Sequence, residues 1–403
     1  MRNIIFNYII MKRINTILVV ILLVVLAGCG GNKQSNDDLI IVDVSKSYPK
    51  KELILQDFMD VEYIVLETTD EILNQGVVMT VGNEIMIVKN NVNDGDLFIY
   101  DRTGKGIRKF NRKGQGGEEY SSLSEVVLDE ERNEIFVNSS YNKILVYDLF
   151  GNFKRSLPRK ENSRYSGLYE FDRESLICTD TSYDTDEEEP DKPPFLIISK
   201  QDGKIIKEIL IPCQQKRQTQ YKNPNRDDIT YFTSNLPNGS IIPYHDNWIL
   251  TTYSSDTIFR YLPDHSLTPF MLQTPSIQSY NAKAFLALKI LTERYYFLYT
   301  EKMEPEFLSV TLMEFHRTNL MYDRHERNIY EYTIYNDDYQ NKRIVAMPER
   351  TRNHEIAFWQ KIEAYQLVEA LEKSQLKDGK LKDIAAKLDA EDNPVIMLVK
   401  QKK

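Results

Sequence analysis

The sequence predicts an all-β protein, a six-bladed β-propeller with short helices near its C-terminus. Three observations lead to this prediction. Short runs rich in β-branched and aromatic residues follow one another from Val61, and each is bounded by Asn, Asp, Gly or Pro. No convincing helix interrupts them before about residue 354. A hairpin turn also recurs along the chain, which indicates a repeat architecture.

The predicted strands are short. They are Val61–Leu66, Glu84–Val88, Leu97–Tyr100, Ile135–Val137, Ile144–Tyr147, Leu176–Cys178, Phe195–Ile198, Trp248–Leu250, Thr257–Phe259, Tyr295–Tyr299 and Ile329–Tyr332. Tyrosine, which favours strands, is abundant with 25 residues. We therefore expect sheets built from successive runs.

The repeated turn is clearest in Leu97–Tyr120, LFIYDRTGKGIRKFNRKGQGGEEY, where a strand runs into Asp101-Arg102-Thr103-Gly104. Aspartate in such a turn can bond its own backbone, and glycine supplies the positive φ that closes the hairpin. Aligning the later hairpins places the equivalent residues 47 to 62 positions apart, at Gly104, Gly151, Gly203, His265 and Glu326. Each unit has room for about four strands, which is the size of a propeller blade.

A sixth blade is predicted from strand-like material at the two ends of the chain. Lys361–Lys373 carries apolar residues close to helical spacing, and a second helix is predicted around Leu381–Leu388. After Asn393-Pro394, the run Val395–Val399 has the pattern of a buried strand. Because a ring closes by joining its ends, we expect this run and Val61–Leu66 to lie in the ring or to pack on it.

The N-terminus has the pattern of a secretory signal. Residues 17–27 form an apolar run of 11 after Lys12-Arg13, too short for a membrane span of about 20 residues. The run ends in Leu26-Ala27-Gly28-Cys29, which resembles a bacterial lipobox and implies cleavage before Cys29 and acylation of that residue. An ordinary signal peptide or a buried anchor is the alternative. We predict a signal peptide at 1–28, a flexible tether at 29–50, and the propeller with its C-terminal helices and closing strand at 51–403.

Composition argues against one class of partner. The net charge is -9, whereas phosphate binding needs clustered Lys and Arg, so we predict no nucleic-acid partner. One basic run, Arg102–Lys113, is interpreted as a solvated hairpin face. Outside the cytoplasm Cys178 and Cys213 could form a disulfide, although a small buried apolar side chain is the commoner role for such a cysteine.

No catalytic motif is present. The 5 histidines show no HExxH spacing, CxxC pairs and a GxSxG elbow do not occur, and we predict no catalytic residue, metal or cofactor. The loop Asn91–Asp96 is rich in oxygen atoms but lacks the acidic residue that completes a calcium loop, so a plain turn is preferred. Carboxylate pairs for glycoside chemistry are defined by their separation in space, and the sequence nominates none.

The candidate binding site is the glycine-rich loop after the first hairpin. Its candidate residues are Arg112, Lys113, Gln115, Glu119 and Tyr120. Their charges and aromatic ring flank glycines that allow a close approach of the backbone. The loop either meets a ligand at the propeller mouth or connects two blades with its charges paired among themselves. The second interpretation is preferred.

The segments YDRTGKGIRKFNRKGQGGEEY, VEYIVLETTD and DNPVIMLVK resemble those of the six-bladed β-propeller lipoproteins of Gram-negative bacteria, a family of unknown function. The resemblance covers nearly all of the mature chain. Family members usually have Gly-Pro-Gly-Glu-Tyr where this chain has Gly116-Gly117-Glu118-Glu119-Tyr120, so the loop lacks their proline. The resemblance implies the fold and the lipid anchor, and it brings no reaction and no catalytic residues.

The favoured function is a non-enzymatic recognition module, a lipid-anchored propeller that presents tyrosine-rich loops to a glycan, peptide or protein partner. The N-terminal lipid is its predicted link to the membrane. Its predicted location is the cell envelope, at the outer membrane facing the periplasm or the exterior. A lyase or hydrolase with a metal-dependent site in the central channel is the alternative, which rests on fold analogy. A ring of inward-facing Asp, Glu, Asn or His residues around the propeller axis would distinguish these two hypotheses.

Overall fold

The computed structural model describes residues 39–139, 143–161, 163–184, 192–213, 220–222, 231–233, 239–252, 254–279, 284–303, 306–307, 313–348 and 355–402. The predicted signal peptide and the lipidation site Cys29 lie outside these residues. The described chain opens with β1 (Ile40–Asp43), β2 (Lys50–Ile54), helix α1 (Leu55–Phe58) and β3 (Met59–Val65). These first strands do not form a sheet together, and each joins a blade formed much later in the chain.

The next three blades are antiparallel sheets of four consecutive strands each. Blade 1 contains β4 (Val77–Val81), β5 (Ile85–Lys89), β6 (Asp96–Asp101) and β7 (Gly106–Asn111). Blade 2 contains β8 (Glu125–Asp129), β9 (Glu134–Asn138), β10 (Lys143–Asp148) and β11 (Phe153–Pro158). Blade 3 contains β12 (Tyr165–Glu170), β13 (Ser175–Asp180), β14 (Phe195–Ser199) and β15 (Ile205–Ile209), with a 3-10 turn at Thr181–Asp184.

Blades 4 and 5 carry additional short strands. A pair, β16 (Gln220–Lys222) and β17 (Tyr231–Thr233), precedes blade 4, which contains β18 (Ser240–Tyr244), β19 (Asn247–Thr251), β20 (Thr257–Tyr261) and β21 (Leu267–Thr274). Blade 5 contains β22 (Ala284–Leu291), β23 (Tyr295–Lys302), β26 (Arg317–Asp323), β27 (Asn328–Asn336) and the short strand β28 (Arg343–Ile344). Between β23 and β26 the chain forms a separate two-stranded sheet of β24 (Glu306–Phe307) and β25 (Met313–Glu314).

The N-terminal strands extend blades 4 and 5 at their outer edges. β1 pairs in parallel with β21, and β2 pairs in parallel with β27. Ile40 and Val42 of β1 are buried, whereas Ile41 between them is exposed, so the strand has one face on the core. The flexible tether predicted over 29–50 is therefore wrong for residues 40–43, because their apolar side chains pack on blade 4.

Blade 6 closes the ring with both ends of the chain. It is built from β29 (Ile356–Ile362), helices α2 (Ala364–Glu372) and α3 (Lys380–Ala385), and β30 (Val395–Gln401), and its strand order is β29-β30-β3. β30 is thus hydrogen-bonded on both sides, with Val395–Val399 buried. The predictions of a six-bladed all-β propeller and of closure by these two runs are confirmed. α1 is a short helix that the sequence did not predict.

The repeated turns have the backbone that the alignment predicts. Gly104, Gly151, Gly203 and His265 have φ angles of 90°, 81°, 74° and 66°. The turn position predicted at Glu326 is wrong by one residue, because in blade 5 the neighbouring Arg327 takes the positive φ of 52°. The glycine is required at Gly104, where an added Cβ would lie 2.0 Å from the carbonyl oxygen of Val65 in β3. The turn of blade 1 therefore packs directly on the strand that closes the ring.

The core consists of apolar layers between neighbouring blades. One layer joins Ile144 and Val146 of blade 2 to Leu176 and Ile198 of blade 3, and Cys178 lies in the same layer, fully buried. Cys213 is exposed, and no disulfide links the two cysteines. Cys178 therefore serves as the small apolar side chain that the sequence favoured.

Candidate binding pocket on the inner strands

A pocket of about 570 Å³ lies along the first strands of blades 1 to 4. These are the inner strands of the ring, since β8 contacts both β4 and β12 across blade boundaries. The lining comprises residues 80–83 of blade 1, 125–128 and 130–131 of blade 2, 167–173 of blade 3, Pro243 and Trp248 of blade 4, and Glu355 before β29. The pocket exists because several blades meet there, and no single blade forms it.

The lining is strongly acidic. The described part of the lining contains six carboxylates, those of Glu125, Glu130, Glu131, Glu170, Asp172 and Glu355. Its only basic side chain among the described residues is Arg173. That guanidinium forms an ion pair of 3.0 Å with Glu131, in which both side chains are exposed. Negative charge therefore dominates the pocket.

Glu130 is held in place by backbone groups of the neighbouring blade. Its carboxylate accepts hydrogen bonds from the N–H groups of Asn83 (2.7 Å), Glu84 (2.9 Å) and Ile85 (3.0 Å), in the turn between β4 and β5. Gly82 permits this approach, because a Cβ there would lie 2.3 Å from Glu130 Oε1. The carboxylate thus fixes the β4–β5 turn of blade 1 onto blade 2, at the edge of the pocket.

Glu170 belongs to a buried charge cluster beside the pocket. Lys200 is fully buried, and its Nζ donates to Asp129 Oδ2 at 2.7 Å and to Glu170 Oε1 at 2.8 Å. Burial raises the pKa of Glu170, and the opposing effect of Lys200 does not cancel it. The Asp129 side chain is 1% exposed, whereas the Glu170 side chain is 42% exposed. Of the two carboxylates that share this ammonium, Glu170 is therefore the one that a ligand can reach.

A second charge cluster links blades 2 and 3 through Arg155. Its guanidinium donates to both oxygens of Glu134, at 2.7 and 2.6 Å, and to the carbonyl oxygen of Lys200. Burial acts to raise the pKa of Glu134, but hydrogen bonds from Arg155 and Lys154 outweigh it and lower the pKa to about 2. The cluster holds the turn that carries Lys200, and it thereby positions Glu170.

Aromatic rings form one side of the pocket. Tyr169, Phe171 and Trp248 are among the lining residues. The Phe171 ring stacks on Trp248, with centroids 5.8 Å apart and an interplanar angle of 25°, and on His265 at 6.3 Å and 16°. Tyr169 meets Trp248 edge to face at 5.9 Å. The contacts hold these rings at the junction of blades 3 and 4.

The loop predicted as the binding site lies elsewhere. It connects β7 of blade 1 to β8 of blade 2, and none of its five candidate residues lines the pocket. Arg112 Nε donates to the carbonyl oxygen of Gly151 at 2.7 Å, and the Lys113 ammonium donates to the carbonyl oxygen of Asn93. Both cations are therefore engaged with backbone oxygens of adjacent segments.

The remaining candidate residues of this loop divide between core and surface. Tyr120 is buried, and its hydroxyl donates to Gly95 O at 2.6 Å, while burial raises its pKa to about 12. Glu119 accepts a hydrogen bond of 2.8 Å from the N–H of Gly116 within the loop. Gln115 is exposed. In these contacts Arg112, Lys113 and Glu119 bond to backbone groups of the loop and of adjacent segments, whereas the preferred interpretation expects the charged groups to pair with each other.

Sequence reasoning missed the pocket residues, although one signal was available. Acidic residues occur at the end of the first strand in two successive repeats, as Asp129-Glu130-Glu131 and as Glu170-Phe171-Asp172. Equivalent strands of a propeller lie next to each other around the axis, so residues at equivalent positions come together.

Two findings apply only to the residues that the structure describes. These residues contain no group of three His, Cys, Asp or Glu side chains placed to hold a metal ion. Within the same ranges, no helix is long and apolar enough to cross a membrane.

The fold and pocket define a six-bladed β-propeller with an acidic pocket on its inner strands. The chain belongs to the family DUF4934, a domain of unknown function, whose profile matches residues 39–400. Its structure is similar to that of a protein designated as exported from Bacteroides fragilis NCTC 9343, with a TM-score of 0.54 and 16% identity over 88% of this chain and 99% of that one. A DUF4221 family member from Bacteroides vulgatus ATCC 8482 has a TM-score of 0.45 and 8% identity, over 86% and 99% of the two chains. No curated protein matches the chain.

Proposed function

We propose that this protein is a lipid-anchored, extracytoplasmic binding module whose ligand, a glycan, peptide or protein segment, enters the pocket on the inner strands. The observation that carries the proposal is the pocket itself. Its volume of about 570 Å³ is typical of ligand pockets, which span roughly 300–1,000 Å³. Its lining combines aromatic rings with several carboxylates, and such groups can orient a ligand.

The carboxylates support binding more readily than catalysis. Glu130 bonds three backbone N–H groups and Glu170 bonds Lys200, so each is held in one orientation by the protein. Fixed acceptors suit recognition because little conformational freedom is lost on binding. The alternative, a metal-dependent lyase or hydrolase, lacks a supporting cluster of three metal ligands in the part of the chain that the structure describes.

The proposed location rests on the N-terminal sequence. The apolar run that ends in Leu26-Ala27-Gly28-Cys29 supports export and acylation at Cys29. The likeness to an exported Bacteroides protein agrees with a place outside the cytoplasm. Acylation would attach the propeller to the membrane by its N-terminal side.

The test fills the pocket and leaves the rest of the surface unchanged. The purified protein is applied to glycan and peptide arrays, alongside Thr80→Trp, which adds an indole at the pocket lining. Ser156→Trp, at an exposed position of β11, is the matched control. We expect array ligands that Thr80→Trp loses and Ser156→Trp retains. Ligands retained equally by both variants, or metal-dependent turnover of an array ligand, would overturn the proposal.

A further inference from the structure

We propose that the pocket on the inner strands recognises a cationic group, an ammonium or guanidinium carried by a polyamine or a basic peptide. This inference rests on the proposed binding function and narrows its ligand. The glycan, peptide and protein options are thereby reduced to ligands that carry positive charge.

The excess of negative charge is the first reason. Among the residues that the structure describes, six carboxylates and one guanidinium line the pocket, and that guanidinium, of Arg173, already pairs with Glu131. A cleft lined by one sign of charge focuses the field between its low-dielectric walls and concentrates ions of the opposite sign. An anionic ligand would meet repulsion from several sides.

The aromatic rings that line the pocket are the second reason. The faces of Phe and Trp rings carry negative electrostatic potential and attract ammonium or guanidinium groups within about 6 Å. Phe171 and Trp248 line the same pocket as the carboxylates and stack on each other. Trp248 is buried, so the partly exposed Phe171 is the ring that a ligand cation can contact. Carboxylates together with ring faces favour a cation over a neutral sugar, because a sugar gains the ring contact without the charge attraction.

The Lys200 cluster is the third reason, and it identifies Glu170 as the residue that determines specificity. Lys200 cannot itself meet a ligand because it is fully buried, and its single positive charge is shared between Asp129 and Glu170. The cluster therefore keeps a net negative charge whose accessible part is the Glu170 carboxylate. A ligand cation beside the Glu170 carboxylate would neutralise the net negative charge of this cluster.

The experiment measures binding by calorimetry with four defined probes on the full purified protein. Spermidine and the capped peptide Lys-Lys-Lys represent the two cationic sources, capped Glu-Glu-Glu is the anionic probe, and chitotriose is the neutral one. Glu170→Gln keeps the shape of the side chain and removes its charge. Glu208→Gln removes an exposed carboxylate on the outer strand of the same blade and is the matched control. Thermal unfolding of each variant confirms that it is folded.

We expect a cationic probe to bind, with Glu170→Gln weakening its affinity at least about tenfold, a difference of ~1.4 kcal/mol. Glu208→Gln is expected to leave the affinity unchanged. If Glu170→Gln fails to fold, Phe171→Leu is measured instead. Loss of the aromatic ring should likewise lower the affinity for the cationic probe. Preference for chitotriose or Glu-Glu-Glu, sensitive to Thr80→Trp, would overturn the cationic inference and leave the binding function standing. Binding of all probes that is insensitive to Thr80→Trp would overturn both.

Discussion

Ring closure depends on the terminal strand β30, and Leu398→Ala tests that dependence. Leu398 is fully buried, and its backbone lies between Glu62 of β3 and Trp359 of β29. Its side chain belongs to the apolar layer that joins blade 6 to blade 1, which includes Phe98 and Tyr100. Truncation removes contacts within blade 6 and across this boundary.

The magnitude follows from cavity formation. A buried leucine replaced by alanine costs about 2–5 kcal/mol of unfolding free energy, because surrounding groups relax only in part. With an unfolding entropy of roughly 2.1 cal/mol/K per residue over roughly 360 residues, this lowers Tm by about 3–7 °C. Thermal unfolding followed by circular dichroism measures the shift. Lys400→Ala on the same strand is the control, since its half-buried side chain makes an ion pair with Glu62 that is worth about 1 kcal/mol or less.

A larger perturbation removes residues 394–403. The deletion takes away Val395–Val399, five buried apolar side chains worth roughly 1.5–3 kcal/mol each, and leaves β3 and β29 with unpaired edges. The sum rivals the stability of a whole domain, about 5–15 kcal/mol, so we expect aggregation or degradation. A soluble truncated protein that melts at the full-length temperature, or a Leu398→Ala variant with an unchanged Tm, would refute the reasoning.

Three further predictions concern the anchor, the repeated turn and acid stability. Cys29→Ala should abolish palmitate labelling, and persistent labelling would contradict the lipid anchor. Gly104→Ala places a Cβ 2.0 Å from the carbonyl oxygen of Val65 at a φ of 90°, so urea unfolding should show a loss of about 1–3 kcal/mol. Gly117→Ala, whose Cβ meets nothing within 4 Å, should change little by comparison. Because the pKa of Glu134 is lowered to about 2, its ion pair stabilises the fold fully above its ordinary pKa of 4.5, and this stability is lost as the pH falls towards 2. Glu134→Gln should remove that part of the pH dependence, and an unchanged stability profile between pH 7 and pH 2.5 would contradict it.

Elements that depend on nearby residues could be predicted from the sequence. The hairpin turns are local, since an Asp or Ser side chain and a residue of positive φ decide them within a few positions. The spacing of the repeat also identifies His265, which takes a positive φ although it is not glycine. The buried run Val395–Val399 was also recognisable, since it is apolar on both faces and its predicted burial is confirmed.

The outer strands β1 and β2 required the tertiary structure. Lys50–Ile54 has the sequence KKELI and only Leu53 is buried, so no periodicity marks it as a strand. It is extended because β27, some 280 residues further along the chain, offers an unpaired edge in parallel register. Parallel pairing of this kind is decided by the partner strand, whose position no local pattern reveals.

The pocket was likewise decided by the tertiary structure. The sequence alone determined that the chain is a repeat of antiparallel hairpins closed by its two ends, because strand periodicity and turn chemistry act over a few residues. It could not determine that Glu170 and Trp248, from neighbouring blades, would line one cavity, since their approach depends on the angle between the blades. Nor could it show that Lys200 is buried between two carboxylates, because burial is a property of the packed ring and not of the residues around Lys200 in the chain.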